Sequence, residues 1–186
     1  MPRATVTGFL ASVASLLPDN VSGLINPVDV RTCLNLVADV WSPGYCALTQ
    51  PNSVLAVTST PVVLPWATNP VLTPDDFDVV LASGIFRRKM NGLPTTVTRI
   101  LFEADLLGPN NAELLIQVSE NGTIIPGSGI TVSARGTGNV AALAYMTVYS
   151  ATVDTDYRIM VSAPINNTFT FQNARLVAEV VPTIGA

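Results

Sequence analysis

The chain has 186 residues, of which 9 are basic and 13 acidic, with no histidine and a formal charge of −4. That length suits one domain with a full core, or a small domain plus an arm. The acidic balance, with no basic stripe, lacks the clustered Lys and Arg that phosphate neutralisation needs and argues against a nucleic-acid partner.

Charged residues make up only 12% of the chain and mean hydropathy is +0.44. Such a chain either crosses a membrane or hides surface against copies of itself. Its apolar residues come in short pieces broken by 14 prolines and 12 glycines, whereas a spanning helix needs about 20 apolar residues in a row. Self-association is therefore the better reading, with no membrane partner.

Residues 1–18 carry one charge, Arg3, and end at Pro18. They read as an arm, and they hold no clear signal-peptide cleavage site. The stretch "DNVSGLINPVDVRTCLNLVADVW", residues 19–41, reads as one short helix. Asn26 is a good N-cap, Pro27 suits the first helical position, and Asp29 complements the helix dipole. Val30, Cys33, Leu34, Val37 and Trp41 share one face by helical spacing, and Ser42-Pro43-Gly44 ends the helix. One such helix is not stable alone, so its apolar face must pack on its own domain, on sister copies or on another protein. Cys33 reads as a buried free thiol, with a bridge to Cys46 left as the unsupported alternative.

From about Pro51 the pattern changes to short strands separated by turn residues. In "TRILFEADLL" Ile100, Phe102, Ala104 and Leu106 share a face, as do Leu114, Ile116 and Val118 in "ELLIQV". Ile130, Val132 and Ala134 follow the same alternation, as do Tyr157, Ile159, Val161 and Ala163, then Phe169 and Phe171, then Leu176, Ala178 and Val180. The joints carry turn chemistry: Gly108-Pro109-Asn110-Asn111, Asn121-Gly122, Pro126-Gly127-Ser128-Gly129 and Asn166-Asn167. The spacing predicts a mainly β sandwich or jelly roll. The organisation expected is an N-terminal arm with its helix over residues 1–50 and a β domain over residues 51–186.

Several strands are apolar on both faces, "VAALAYMTVY" most plainly. A second buried face fits packing between subunits, and Leu101, Leu115, Leu143, Tyr145 and Val177 are the residues expected to meet there. The competing reading places these strands centrally, under loops of one fold.

The chain offers little for catalysis. Without histidine there is no Ser–His or Cys–His nucleophile pair and no ordinary zinc site. "PDDFD" and "VDTD" are carboxylate clusters, yet neither has the glycine and terminal Glu of a calcium-binding loop, and both read more simply as turns. "SARGTGN" lies between two strands and reads as a hairpin tip rather than a phosphate loop. No catalytic residue, metal or cofactor is expected.

Two stretches resemble known proteins. Residues 19–41 are similar to a segment common in virion proteins of tailed bacteriophages, at Asn20, Gly23, Ile25, Asn26, Pro27 and Arg31. The second stretch runs from "LLIQVSENGTIIPG" to "YRIMVSAP", with "ARLVAEVV" closing it. It resembles the back half of the TNF/C1q-like jelly rolls that phages carry on heads and tails. Those proteins lead into the next strand through a Gly-Asp kind of turn, which is Asp154-Thr155-Asp156 here.

The resemblance covers residues 19–41 and 97–181. It implies a TNF/C1q-like jelly roll that forms a homotrimer, with the arm and helix docking on the particle through Val30, Cys33, Leu34, Val37 and Trp41. The function it implies is a capsid decoration or cement protein on the outer surface of the virion, with the major capsid protein as partner. The alternative is a head-fibre, tail-fibre or baseplate tip that binds a host surface receptor. An enzyme such as a depolymerase has no residue in its favour.

Overall fold

The computed structural model describes residues 30, 32, 44–74, 76–89, 95–135, 139–150 and 154–182. They form two antiparallel sheets. The first has the order β10-β6-β12-β1-β3, with β1 at Tyr45–Val57, β3 at Thr68–Leu72, β6 at Thr95–Leu107, β10 at Asn139–Ser150 and β12 at Asn167–Pro182. The second has the order β4-β5-β11-β7-β8, with β4 at Phe77–Val80, β5 at Ile85–Arg88, β7 at Glu113–Glu120, β8 at Thr123–Ile124 and β11 at Thr155–Ser162. The short strands β2 (Val62–Val63) and β9 (Ile130–Ser133) pair with β11 and β7.

Apart from the hairpins β4–β5 and β7–β8, chain neighbours are not sheet neighbours. The chain crosses from one sheet to the other between β6 and β7, between β9 and β10, between β10 and β11, and between β11 and β12. This alternation is a jelly roll, the expected fold class.

The alternation read from the sequence is the one that fills the core. Ile100, Phe102, Ala104 and Leu106 face Leu114, Ile116 and Val118, with Tyr157, Ile159 and Val161 beside them, all essentially inaccessible to water. Leu176, Ala178 and Val180 complete the first sheet's inner face. Each such large apolar side chain contributes about 1.5–3 kcal/mol by leaving water. Trp66 meets Phe102 edge-on with centroids 6.2 Å apart, and Phe86 stacks on Tyr157 at 5.7 Å. The turn between β7 and β8 is Asn121-Gly122, with φ of 49° and 84°. Two left-handed residues match the twist of the flanking strands, which is why Asn-Gly works there.

Three expectations change. The boundary at residues 50 and 51 falls inside β1, which begins at Tyr45 and pairs with β12 from Tyr45↔Glu179 to Val57↔Asn167. The strand was hidden because Pro51 interrupts its pattern, and Pro51 is the one position skipped in that register. The register is otherwise unbroken, running from Gln50↔Ala174 to Asn52↔Gln172, so Pro, which has no N–H to donate, sits at the one position of β1 left out of the pairing. Second, Thr155 and Asp156 are not a turn but the start of β11, paired with Arg88 and Arg87. Third, the tract "PDDFD" is part strand: Phe77 and Asp78 open β4.

At the pole where β1 begins, a fully buried ion pair joins Arg88 Nη1 to Asp76 Oδ1 at 3.3 Å. Arg88 also donates to the carbonyls of Asp76 and Lys89, both at 3.0 Å, and its guanidinium lies 5.7 Å from the Phe77 ring centroid. Lys89 Nζ donates to the Pro74 carbonyl at 2.7 Å. Gly44 packs directly on this cluster, and a Cβ there would overlap the Asp76 carboxylate.

Candidate self-association face

The first sheet turns its outer face away from the core, and the strand register puts one apolar residue from each of β3, β1, β12 and β6 in line. Val71 pairs with Ala47, Ala47 with Val177, Val177 with Leu101, and Leu101 with Ala144. Val71 is 52% and Leu101 39% exposed. A row of this kind across a whole sheet has no core to face, and monomeric proteins seldom leave one uncovered.

Ion pairs frame the row on both sides. Two residues along in one direction, Arg99 Nη2 pairs with Glu179 Oε1. Two residues along in the other, Arg175 Nε pairs with Glu103 Oε1 at 2.5 Å. At about 3.3 Å per residue the two charged rows stand about 13 Å apart. The hydrogen bond and charge of Glu103 push the Arg175 pKa up. Such exposed pairs add little to stability, but they leave this patch with two positive and two negative charges and no net charge.

Beyond the second pair, β12 bulges at Asn173, whose φ is 50°, and its Nδ2 donates to Asp105 Oδ2 at 2.9 Å. The Oγ1 atoms of Thr49 and Thr68 meet at 2.6 Å. An open cleft of about 460 Å³ lies between these groups, beside Pro51, Glu103 and Arg175.

The five residues expected at the trimer interface separate. Leu101 and Val177 are cross-strand partners on this face. Leu115 lies on the outer face of the other sheet, opposite Ser162 and Thr131. Leu143 is 4% exposed and sits inside the sandwich across from Phe102, and Tyr145 packs against the core across from Ile100. Alternation decides this: β10 is apolar at both parities, and the parity of Leu143 and Tyr145 is the inward one. Ala47, Val71 and the four charges were not among the expected residues. Of the docking-helix residues, Val30 is helical and 41% exposed, while Cys33, Leu34, Val37 and Trp41 lie outside the described residues.

The carboxylate clusters come together, with arginines between them. Asp78 pairs with Arg87 across β4 and β5, and Arg87 with Asp156 across β5 and β11. Arg87 Nε donates to Asp156 Oδ1 at 2.6 Å, and that bond chiefly raises the Arg87 pKa. Asp76 is held by Arg88 in the interior; Asp75 lies outside the described residues. Among the described residues no group of His, Cys, Asp and Glu is arranged to hold a metal ion, and no helix is long and apolar enough to cross a membrane.

Cys46 is a buried free thiol whose pKa burial pushes up to about 12, from 9.0. In a Cys33→Ser variant, a thiol reagent is expected to find no reactive group in the native protein and one in denaturant. The linkage has a definite sign. Above pH 9 the unfolded thiol loses its proton while the folded one keeps it to about 12, so this group's contribution to stability falls as pH rises through that window. Urea titrations from pH 8 upward check it.

No family model and no curated protein matches the sequence. Among solved structures, the chain is similar to the globular domain of zebrafish complement 1qA, at 10% identity and a TM-score of 0.46, covering 76% of this chain and 98% of that one. It is similar to murine APRIL at 13% identity and 0.48, covering 76% and 100%. It is similar to the PRD1 vertex protein P5 at 8% identity and 0.49, covering 75% and 97%. The jelly-roll assignment rests on the strand order described above, which none of these scores is needed to support.

Proposed function

We propose that this chain is a bacteriophage capsid decoration protein that binds the outer head surface as a homotrimer and stabilises it. The observation that carries the reading is the apolar row Val71–Ala47–Val177–Leu101, framed by Arg99–Glu179 and Arg175–Glu103. A face that is neutral overall and apolar along its centre suits burial against sister copies. Residues 19–41, with their likeness to phage virion segments, supply the attachment to the major capsid protein. Three arms held in one assembly turn weak individual contacts into firm attachment, because each later contact forms at high effective concentration.

Light scattering of the purified chain at micromolar concentration is expected to give three times the 19.6 kDa chain mass. Imaging of purified particles is expected to find many copies over the head. Few copies at the tail would favour the receptor-binding alternative instead, and a stable monomer would remove the basis for both.

The two tasks should separate on truncation. A chain starting at Gly44 keeps all of β1, so it is expected to stay trimeric yet fail to attach to particles. Replacing Leu34 and Val37 by Asp in the full chain should imitate that loss, since each charge on a docking face carries a desolvation cost of several kcal/mol. Normal occupancy of particles by the truncated trimer would show that the arm is not the anchor.

A further inference from the structure

The pole of the sandwich farthest from Gly44 is built from turns at residues 58–61, 108–112 and 163–166. Backbone hydrogen bonds anchor each of them: Ala163 N donates to Thr58 O at 2.8 Å and joins two of the turns, while Asn111 N donates to Ala134 O at 3.0 Å and Ala134 N to Ala112 O at 2.8 Å, fixing the third to the segment that follows β9. The turns therefore present fixed surfaces. Two clefts open on either side of the segment 164–168 and share Asn167 as a wall. One, of about 470 Å³, is lined by Ala56, Val57, Thr58, Asn166, Asn167 and Thr168. The other, of about 170 Å³, is lined by Asn111, Ala112, Glu113, Pro164, Ile165 and Asn167.

The chemistry of these clefts is selective. The larger has no charged wall and the smaller has one, Glu113. Neither offers a cation to a phosphate or carboxylate, or a carboxylate pair to a metal. The larger is too open and polar for a purely apolar ligand, while the smaller sets an apolar wall of Ala112, Pro164 and Ile165 beside the amides of Asn111 and Asn167. They offer side-chain amides, each a donor and an acceptor side by side, threonine hydroxyls, and an aliphatic lip. That lip is Ile165, at 71% the most exposed large hydrophobic residue among those described. A ligand with adjacent hydroxyls on one edge and C–H groups on one face meets all three demands.

We propose that this pole binds neutral oligosaccharides, with Asn111, Asn166 and Asn167 taking the hydroxyls and Ile165 packing on the face of a sugar ring. Each site is shallow and weak singly. The proposal stands apart from the decoration reading, because it concerns the pole rather than the sheet face and is tested on purified protein.

The test follows backbone amide shifts of the full chain while neutral disaccharides (maltose, cellobiose and lactose) are added to millimolar levels, with an acidic oligogalacturonate alongside. At least one neutral sugar is expected to shift residues 56–58, 111–113 and 164–168 and no other region. Ile165→Ser and Asn167→Ala are each expected to weaken that binding tenfold or more with an unchanged melting temperature. Absence of shifts with all three neutral sugars overturns the proposal. So does binding that both variants retain, or binding of the acidic sugar alone.

Discussion

Leu101→Asp is expected to convert the proposed homotrimer to monomers at micromolar concentration while leaving the sandwich folded. Leu101 sits in the outer row on β6, beside the central strand β12, with Val177 across from it and Glu103 two residues along. In the isolated chain its side chain is 39% exposed, so a carboxylate there is solvated and the fold loses little. In the proposed trimer the same carboxylate would be buried, with the nearby cations already committed to Glu179 and Glu103. Burying it without a new partner costs several kcal/mol, repeated at every subunit contact, and each 1.4 kcal/mol is a tenfold change in the association constant.

Val177→Arg should act in the same way. Leu143→Ala is the contrasting variant. That side chain is inside the core, so its truncation should lower stability by about 2–5 kcal/mol without a specific effect on association. Light scattering and thermal melts on the three variants separate the two behaviours. A Leu101→Asp chain that keeps three times the monomer mass would place the subunit interface elsewhere.

The framing of that face was written in the sequence, in two matching stretches. "RILFE" holds Arg99, Leu101 and Glu103 at alternate positions, and "RLVAE" holds Arg175, Val177 and Glu179 in the same order. Two such stretches paired antiparallel about Leu101 and Val177 must set each Arg against the other strand's Glu. The charges could thus have been assigned to one outer face once the two strands were known to be neighbours. Periodicity alone does not supply that neighbourhood, since β6 and β12 are far apart in the chain.

The inner faces of β6, β7, β11 and β12 were legible because one parity is strongly apolar in each. In β10 both parities are apolar, so period-two alternation carries no direction, and nothing in the strand's own sequence shows that Leu143 and Tyr145 point in. The strands β1, β4 and β5 were obscured for a different reason. Pro51 and the charged runs "PDDFD" and "FRRKM" look like turns until the partner strands bring opposite charges together across Asp78, Arg87 and Asp156. Adjacent arginines on a strand face opposite ways, which sends Arg87 outward and Arg88 into the interior.

That inward arginine should be the most costly single change in the charged residues. Arg88→Met is expected to lower unfolding free energy by about 3–5 kcal/mol, the usual result of breaking a buried ion pair by removing one member. For a chain of this size that is a fall in melting temperature of about 6–20 °C. Arg88 and Asp76 are both fully buried, and Gly44 closes over the carboxylate, so water cannot readily replace the lost cation. Three further contacts go with it: the carbonyls of Asp76 and Lys89, and the Phe77 ring.

The origin of the loss can be isolated. Asp76→Asn keeps the shape that fits against Gly44 but removes the negative charge. The double variant Arg88→Met, Asp76→Asn is therefore expected to be more stable than Arg88→Met alone. Gly44→Ala should reach part of the same loss from the other side, by pushing the Asp76 carboxylate off its partner. Urea unfolding of the four proteins gives the cycle. If the double variant is no more stable than the single one, the arginine's contribution lies in its packing on Phe77 and its bonds to carbonyls, and not in the charge of Asp76.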